Sequence, residues 1–123
     1  MVTSHTVEDL MTTAVVALRE DDPVSRVARE MRRAGVHHIP IVDGAQHVVG
    51  IVSSRDLPTA RPGERAGDLM TRGVLTVRPW EALGEARRIF RENGVHAVPV
   101  VGDREQLVGI VTAHDLAGGR RAA

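Results

Sequence analysis

An α+β fold (α/β in the broad sense), made by building one β-α-β-β unit twice, is what this sequence predicts. Three observations carry that expectation. Residues Asp9–Leu57 align with Asp68–Leu116 at a constant offset of 59 without a gap, and 19 of the 49 aligned positions are identical, where composition alone would give about three or four. Each copy holds a stripe of apolar residues at helical spacing with a glycine at its end. Each copy then closes with two short β-branched runs joined by turn residues. A gapless repeat means one supersecondary unit used twice, packed about a pseudo-twofold axis, so that any site in one copy has a twin in the other.

The elements follow in order. After the shared Asp-Leu-Met-Thr start (Asp9–Thr12, Asp68–Thr71), the runs Val15–Leu18 and Val74–Val77 read as strands because they are rich in Val. In the first copy Asp22 reads as an N-cap and Pro23 as the first helical residue, where its missing N–H costs nothing. Val24, Val27, Ala28 and Met31 then line one face, and Gly35 stops the helix. In the second copy Leu83, Ala86, Ile89 and Phe90 form the stripe and Gly94 stops it. His38–Val42 passes through Asp43-Gly44 into Val48–Val52, and Ala97–Val101 passes through Gly102-Asp103 into Leu107–Val111. Each pair reads as a hairpin. Their near-continuous apolar character fits strands covered on both faces.

Pro58, Pro62 and Gly63 mark residues 58–65 as a linker. The organisation is therefore repeat one over residues 7–57, the linker, and repeat two over residues 66–117. A unit of about 50 residues buries little surface on its own, so the repeats are expected to form one cooperative body. The stretch Gly118-Gly119-Arg120-Arg121-Ala122-Ala123 reads as a frayed tail.

Composition excludes several functions. The 16 basic residues, all arginine, balance 16 acidic ones, so no overall basic excess points to nucleic acid. One Trp, one Phe and no Tyr leave no aromatic interleaving for single-stranded ligands. With no Cys there is no disulfide, thiolate metal site or thiol nucleophile. The start MVTSHTVEDLM carries neither a basic nor an apolar leader segment, and no apolar run reaches membrane-spanning length. The expectation is a soluble, cytoplasmic protein with no membrane contact.

The chemistry-bearing segments are Gly50–Leu57 (GIVSSRDL) and Gly109–Leu116 (GIVTAHDL). A strand ends at Ser53 or Thr112 and a carboxylate follows three residues later. A hydroxyl with backbone N–H groups at such a junction suits a phosphate. An aspartate suits the two hydroxyls of a ribose. The same Ser/Thr-x-x-Asp spacing also fits helix capping without any ligand, and the residues alone leave both readings open. Arg55 is a strong phosphate donor and its twin His114 a weaker, pH-dependent one.

The six histidines show no HExxH or HxxxH spacing with a partnering carboxylate, so no metal site is expected. His37 and His96, twins at a strand entrance, fit packing or backbone hydrogen bonding. His38 is placed to touch a ligand, but its twin is Ala97. Arg32-Arg33 and Arg87-Arg88 read as solvated helix faces, and Met11 and Met70 as core. No activated nucleophile, Walker loop or paired-carboxylate motif is present, so no catalytic residue is assigned.

These repeats, with the Pro in HHIPIVD and HAVPVVG and the segments GIVSSRD and GIVTAHD, resemble a tandem pair of cystathionine-β-synthase (CBS) domains. The resemblance covers about residues 7–117. It implies two repeats packed through their sheets, with two pseudo-symmetric clefts that take an adenosine-containing ligand: AMP, ADP, ATP or S-adenosylmethionine, or in some members a dinucleotide. By motif position Asp56 and Asp115 would hold ribose hydroxyls. Ser53 and Thr112, with Arg55 and His114, would face the phosphate or its equivalent. Val15, Val74, Ile39, Pro40, Val98 and Pro99 would line the base pocket. The helix that follows the aspartate in the family helps build a dimer surface; here Pro58 and Gly118-Gly119 cut it short.

The resemblance therefore implies a non-catalytic sensor module needing no cofactor, forming a homodimer and acting in trans on a protein partner not named by the sequence. The alternative is a ligand-free structural, dimerisation or interaction module.

Overall fold

The two apolar runs of each copy pair as expected, and everything else is arranged around those hairpins. A computed structural model of the chain describes residues 5–118; the rest of the expected tail lies outside the described residues. The elements in order are α1 (Val7–Leu10), α2 (Val24–Ala34), β1 (His38–Val42), β2 (Val48–Ser53), a 3-10 turn (Leu57–Thr59), α3 (Ala66–Leu69), α4 (Leu83–Asn93), β3 (Ala97–Val101), β4 (Leu107–Thr112) and α5 (Ala113–Gly118). The sheets are two antiparallel pairs, β1-β2 and β3-β4. Their registers match residue for residue, with Pro40 opposite Ile51 and Pro99 opposite Ile110.

The helices stop where the sequence says. Gly35 and Gly94 are left-handed, at φ 67° and 63°, and their N–H groups reach Met31 and Phe90. A residue with a Cβ pays strain in that conformation, and glycine does not. The start of α2 differs from expectation by one residue. Pro23 itself is the cap residue, and Asp22 turns back so that its carboxylate accepts the Arg19 N–H at 2.7 Å and an Arg26 N–H at 2.8 Å. In the second copy Glu81 accepts the Arg78 N–H at 2.8 Å, which retains the turn that the loss of Asp and Pro had obscured.

The runs Val15–Leu18 and Val74–Val77 are not full strands. Only Leu18 and Val77 pair, each through a single parallel bridge, to Ile41 and Val100. Leu18 donates to the Pro40 carbonyl at 3.1 Å and accepts from Val42 at 2.9 Å; Val77 does the same with Pro99 and Val101. The β propensity of the preceding residues finds no neighbouring strand to satisfy.

The described residues form two compact units. One is Val16–Val74; the other joins the chain up to Val15 with Leu75 onward. Each unit has its own core. The first contains Leu18, Val27, Met31, Ile39, Ile41 and Val52 together with Ala66 and Met70. The second contains Val77, Ala86, Ile89, Val98, Val100 and Val111 together with Val7. The short helix that opens each repeat thus packs in the unit built around the other repeat's hairpin.

Backbone bonds fix that exchange. Thr71 and Ile51 bond each other both ways at 2.9 and 3.1 Å, as do Thr12 and Ile110 at 2.9 and 3.0 Å. Val7 donates to Glu81 at 2.8 Å, and Ala66 donates to Asp22 at 2.8 Å. Among the described residues, no helix is long and apolar enough to cross a membrane.

Candidate functional site

Apart from Val15 and Val74, the sequence-predicted site residues of each copy lie on or just beyond the part of its hairpin away from the turn. In the Val16–Val74 unit, His38 lies opposite Ser53, Ile39 opposite Val52 and Pro40 opposite Ile51. Ser54 N–H reaches the His37 carbonyl at 2.9 Å and ends the ladder. In the other unit Ala97 lies opposite Thr112 and Val98 opposite Val111, and Ala113 N–H reaches the His96 carbonyl at 2.9 Å. Directly opposed residues share a face of the sheet. His38 therefore stands on the face of the Ser53 hydroxyl, and Ala97 on that of the Thr112 hydroxyl.

Both aspartates turn back on the strand ends. Asp56 Oδ2 accepts the Ser53 N–H at 2.8 Å, with the Ser53 hydroxyl at 3.3 Å. Asp115 Oδ2 accepts the Thr112 N–H at 2.8 Å, and the Thr112 Oγ1 accepts the Asp115 N–H at 3.2 Å. Both carboxylates are half-buried, and neither Oδ1 has a hydrogen-bond partner among the described residues. Leu57 and Leu116, one residue on, pack against the two cores. The Asp-Leu pair thus fixes each carboxylate by a bond on one side and apolar burial on the other.

The capping arrangement is general in this chain. Asp9 accepts the Thr6 N–H at 3.0 Å and Asp68 the Arg65 N–H at 2.9 Å, alongside Asp22 and Glu81. The Thr6 hydroxyl reaches Asp9 Oδ2 at 3.4 Å much as Ser53 reaches Asp56; Asp56 and Asp115 differ in standing at the end of a hairpin strand. Capping thus explains one oxygen of each carboxylate and leaves the other available.

The remaining predicted positions fall into three groups. Ile39, Pro40, Val98 and Pro99 are fully buried, with Ile39 and Val98 in the two cores. Val15 and Val74 are half-buried, and each belongs to the unit carrying the other copy's aspartate: Val15 with Asp115 and Val74 with Asp56. Arg55 and His114 are exposed and have no hydrogen-bond or ion-pair partner among the described residues. The His37 and His96 side chains are exposed rather than packed; their part in the structure is the backbone carbonyl. No cluster able to hold a metal ion exists among the described residues.

One feature was not foreseen from the sequence. A groove of about 480 Å³ in the unit of β3 and β4 is lined by Arg87, Phe90, Arg91, Val95, His96 and Leu116, and by none of Thr112, His114 and Asp115. Its signal was the half-buried Phe90 at the edge of the α4 stripe. Arg88, next to the groove residue Arg87, is instead paired with Glu85 and with Glu92 at 3.0 Å. Hydrogen bonding to that guanidinium holds the Glu85 carboxyl below its usual range.

Homoserine O-acetyltransferase of Methanococcoides burtonii is 33% identical over 92% of this chain, which spans 24% of that enzyme. The chain thus covers about a quarter of such curated relatives. The CBS domain pair of protein MJ0100, solved in complex with 5′-methylthioadenosine and S-adenosyl-L-methionine, superposes with a TM-score of 0.88 at 26% identity, covering 94% of both chains. The cytosolic domain of the Mg2+ channel MgtE in complex with ATP superposes with a TM-score of 0.83 at 34% identity, covering 92% of this chain and 48% of that one. The CBS domain model matches twice, over residues 7–62 and 66–120, each match holding one hairpin and the aspartate that caps its end: the chain belongs to the CBS-domain family.

Proposed function

We propose that the chain is a regulatory, non-catalytic sensor module that binds an adenosine-containing ligand, AMP, ADP, ATP or S-adenosylmethionine, through Asp56 and Asp115. The observation that carries this is the pair of half-buried carboxylates, each fixed through Oδ2 and keeping Oδ1 without a partner among the described residues. A carboxylate already oriented by its own backbone can accept from a ribose diol with little further ordering. The ligands in the MJ0100 and MgtE structures, all adenosine compounds, support the same class. As proposals, the module is a cytoplasmic homodimer that acts on a protein partner in trans, and the ligand shifts it only by binding one arrangement of the chain better than another.

A second reading has an observation of its own. The same carboxylate-to-backbone cap recurs at Asp9 and Asp68, so Asp56 and Asp115 could serve the fold alone in a ligand-free interaction module. A thermal-shift panel separates the two. With AMP, ADP, ATP and S-adenosylmethionine against guanosine controls, a ligand at a hundredfold excess over its Kd should add about 2.7 kcal/mol, a rise of several degrees. A flat panel at millimolar concentration favours the interaction module.

A further inference from the structure

We infer that the two sites select ligands of different charge: the Asp56 site takes an adenosine compound with an anionic 5′ phosphate, and the Asp115 site one whose 5′ substituent is uncharged or cationic. This deepens the sensor function proposed above and rests on it. The hairpin frame is the same in both copies, although Asp56 precedes a 3-10 turn (Leu57–Thr59) and Asp115 lies within α5. The ladders share one register, the aspartates cap at the same 2.8 Å, and the bond that ends each ladder is the same 2.9 Å. At the strand ends and up to the aspartates the side chains differ in five pairs, His38/Ala97, Ile39/Val98, Ser53/Thr112, Ser54/Ala113 and Arg55/His114; of these, His38/Ala97 and Arg55/His114 change the nitrogen donors.

At the Asp56 site, the His38 imidazole shares a sheet face with the Ser53 hydroxyl. Arg55 adjoins Asp56 in sequence, and its guanidinium meets no acidic partner among the described residues. An always-charged guanidinium offsets the carboxylate and offers a fork of donors that matches phosphate geometry. At the Asp115 site the matching face position is the methyl of Ala97, buried to 7% exposure, and the guanidinium is replaced by an imidazole. Asp115 is then the one permanently charged side chain of the set, and a phosphate brought beside it meets like charge. The Thr112 hydroxyl, accepting from the Asp115 N–H at 3.2 Å, keeps its proton to donate. One neutral donor is weaker than charge-assisted bonding by roughly half and does not replace the missing cation. Arg87 and Arg91 line the neighbouring groove, together with His96, Ala113 and Leu116. A thioether or sulfonium meets no repulsion at Asp115, and Ala97 in place of His38 gives it room and an apolar neighbour.

The test uses the whole chain with one site disabled at a time. Asp→Asn keeps a carbonyl acceptor for the cap while removing the charge. Calorimetric titration with AMP and with 5′-methylthioadenosine holds the adenosine constant and varies only the 5′ group. The Asp115→Asn chain is expected to favour AMP by about tenfold or more, and the Asp56→Asn chain to favour 5′-methylthioadenosine by a similar factor. Adding His38→Ala and Arg55→His to the Asp115→Asn chain should abolish its preference. Adding His114→Arg to the Asp56→Asn chain, an exposed change that leaves the buried Ala97 alone, should raise AMP affinity. Equal preference at both sites, or preferences unmoved by these exchanges, overturns the inference while leaving the sensor proposal standing. Failure of the unaltered chain to bind either compound overturns the inference, and failure to bind ADP, ATP and S-adenosylmethionine as well overturns the sensor proposal.

Discussion

Met70 lies across Gly50. A Cβ placed on Gly50 would strike the Met70 sulfur and come within 3.0 Å of the Thr71 carbonyl; one on Gly109 would come within 2.8 Å of the Met11 sulfur. Each pair joins the opening segment of one repeat to the hairpin of the other. The Met of each Asp-Leu-Met-Thr and the Gly of each Val-Gly-Ile-Val thus meet in the fold. A side chain at the glycine would force the methionine, or the backbone carbonyl beside it, to shift.

Gly50→Ala should therefore destabilise the protein by about 1–3 kcal/mol through overpacking. Because the clash is with a specific partner, the effect should be non-additive with Met70→Ala, with a coupling of about 0.5–3 kcal/mol in a double-mutant cycle. Urea denaturation of the two single variants and the double variant measures it.

The exchange also relocates damage. Val7 belongs to repeat one in sequence, yet it is fully buried in the core that holds Val98, Val100 and Val111. Val7→Ala removes two buried methyl groups and should cost on the order of 2 kcal/mol. Hydrogen exchange should then show lost protection in β3 and β4, with β1 and β2 little changed. Ala66→Gly should do the reverse.

The two roles of Asp56 can be separated by chemistry. Asp56→Ala loses both the cap and the ligand contact, at a cost of about 1 kcal/mol in stability. Asp56→Asn keeps an acceptor for the Ser53 N–H and should stay within a few tenths of a kcal/mol of the parent, since the cap preference of Asn matches that of Asp. Both should lose ligand binding at that site. Paired thermal melts and titrations check this, and Asp115 should behave in the same way.

Acid is expected to weaken the β1-β2 turn through Asp43. Asp43 Oδ1 accepts the His47 and Ala45 N–H groups, both at 2.9 Å; the bond from His47 is the largest influence and, with the weaker one from Ala45, holds the carboxyl below its usual value despite the opposing desolvation. A depressed carboxyl contributes stability that is present above its unfolded value and lost as pH falls through the folded one. Asp43→Asn, which keeps the acceptor without the titration, should show a smaller fall in Tm between neutral pH and the acid range below the ordinary Asp value. Thermal melts across that range check it.

Much of this was legible in the sequence, for identifiable reasons. The hairpins show because Asp43-Gly44 and Gly102-Asp103 punctuate β-branched runs, and the helix ends show because Gly35 and Gly94 sit where a left-handed residue is required. The runs before Leu18 and Val77 were misleading, since Val-rich composition encodes compatibility with a strand and not the presence of a neighbour to pair with. The exchange of opening segments was hidden because an internal alignment gives each copy the same segment and cannot say which hairpin it meets. Gly50 and Gly109 were the available signal, a glycine within a strand marking a close approach. At the site, Asp56 and Asp115 were visible by spacing. The burial of Ile39 and Val98 was not, because an apolar residue at a strand entrance fits a core and a pocket wall equally well.

The most direct test of the account is calorimetric titration of the unaltered chain and of the Asp56→Asn, Asp115→Asn double variant with AMP, ATP and S-adenosylmethionine. Saturable binding of at least one compound to the parent, abolished in a double variant that melts within a few degrees of it, is the predicted result. Binding that persists in the double variant, or no binding to the parent at millimolar ligand, would contradict the assignment of these two aspartates as adenosine-binding residues.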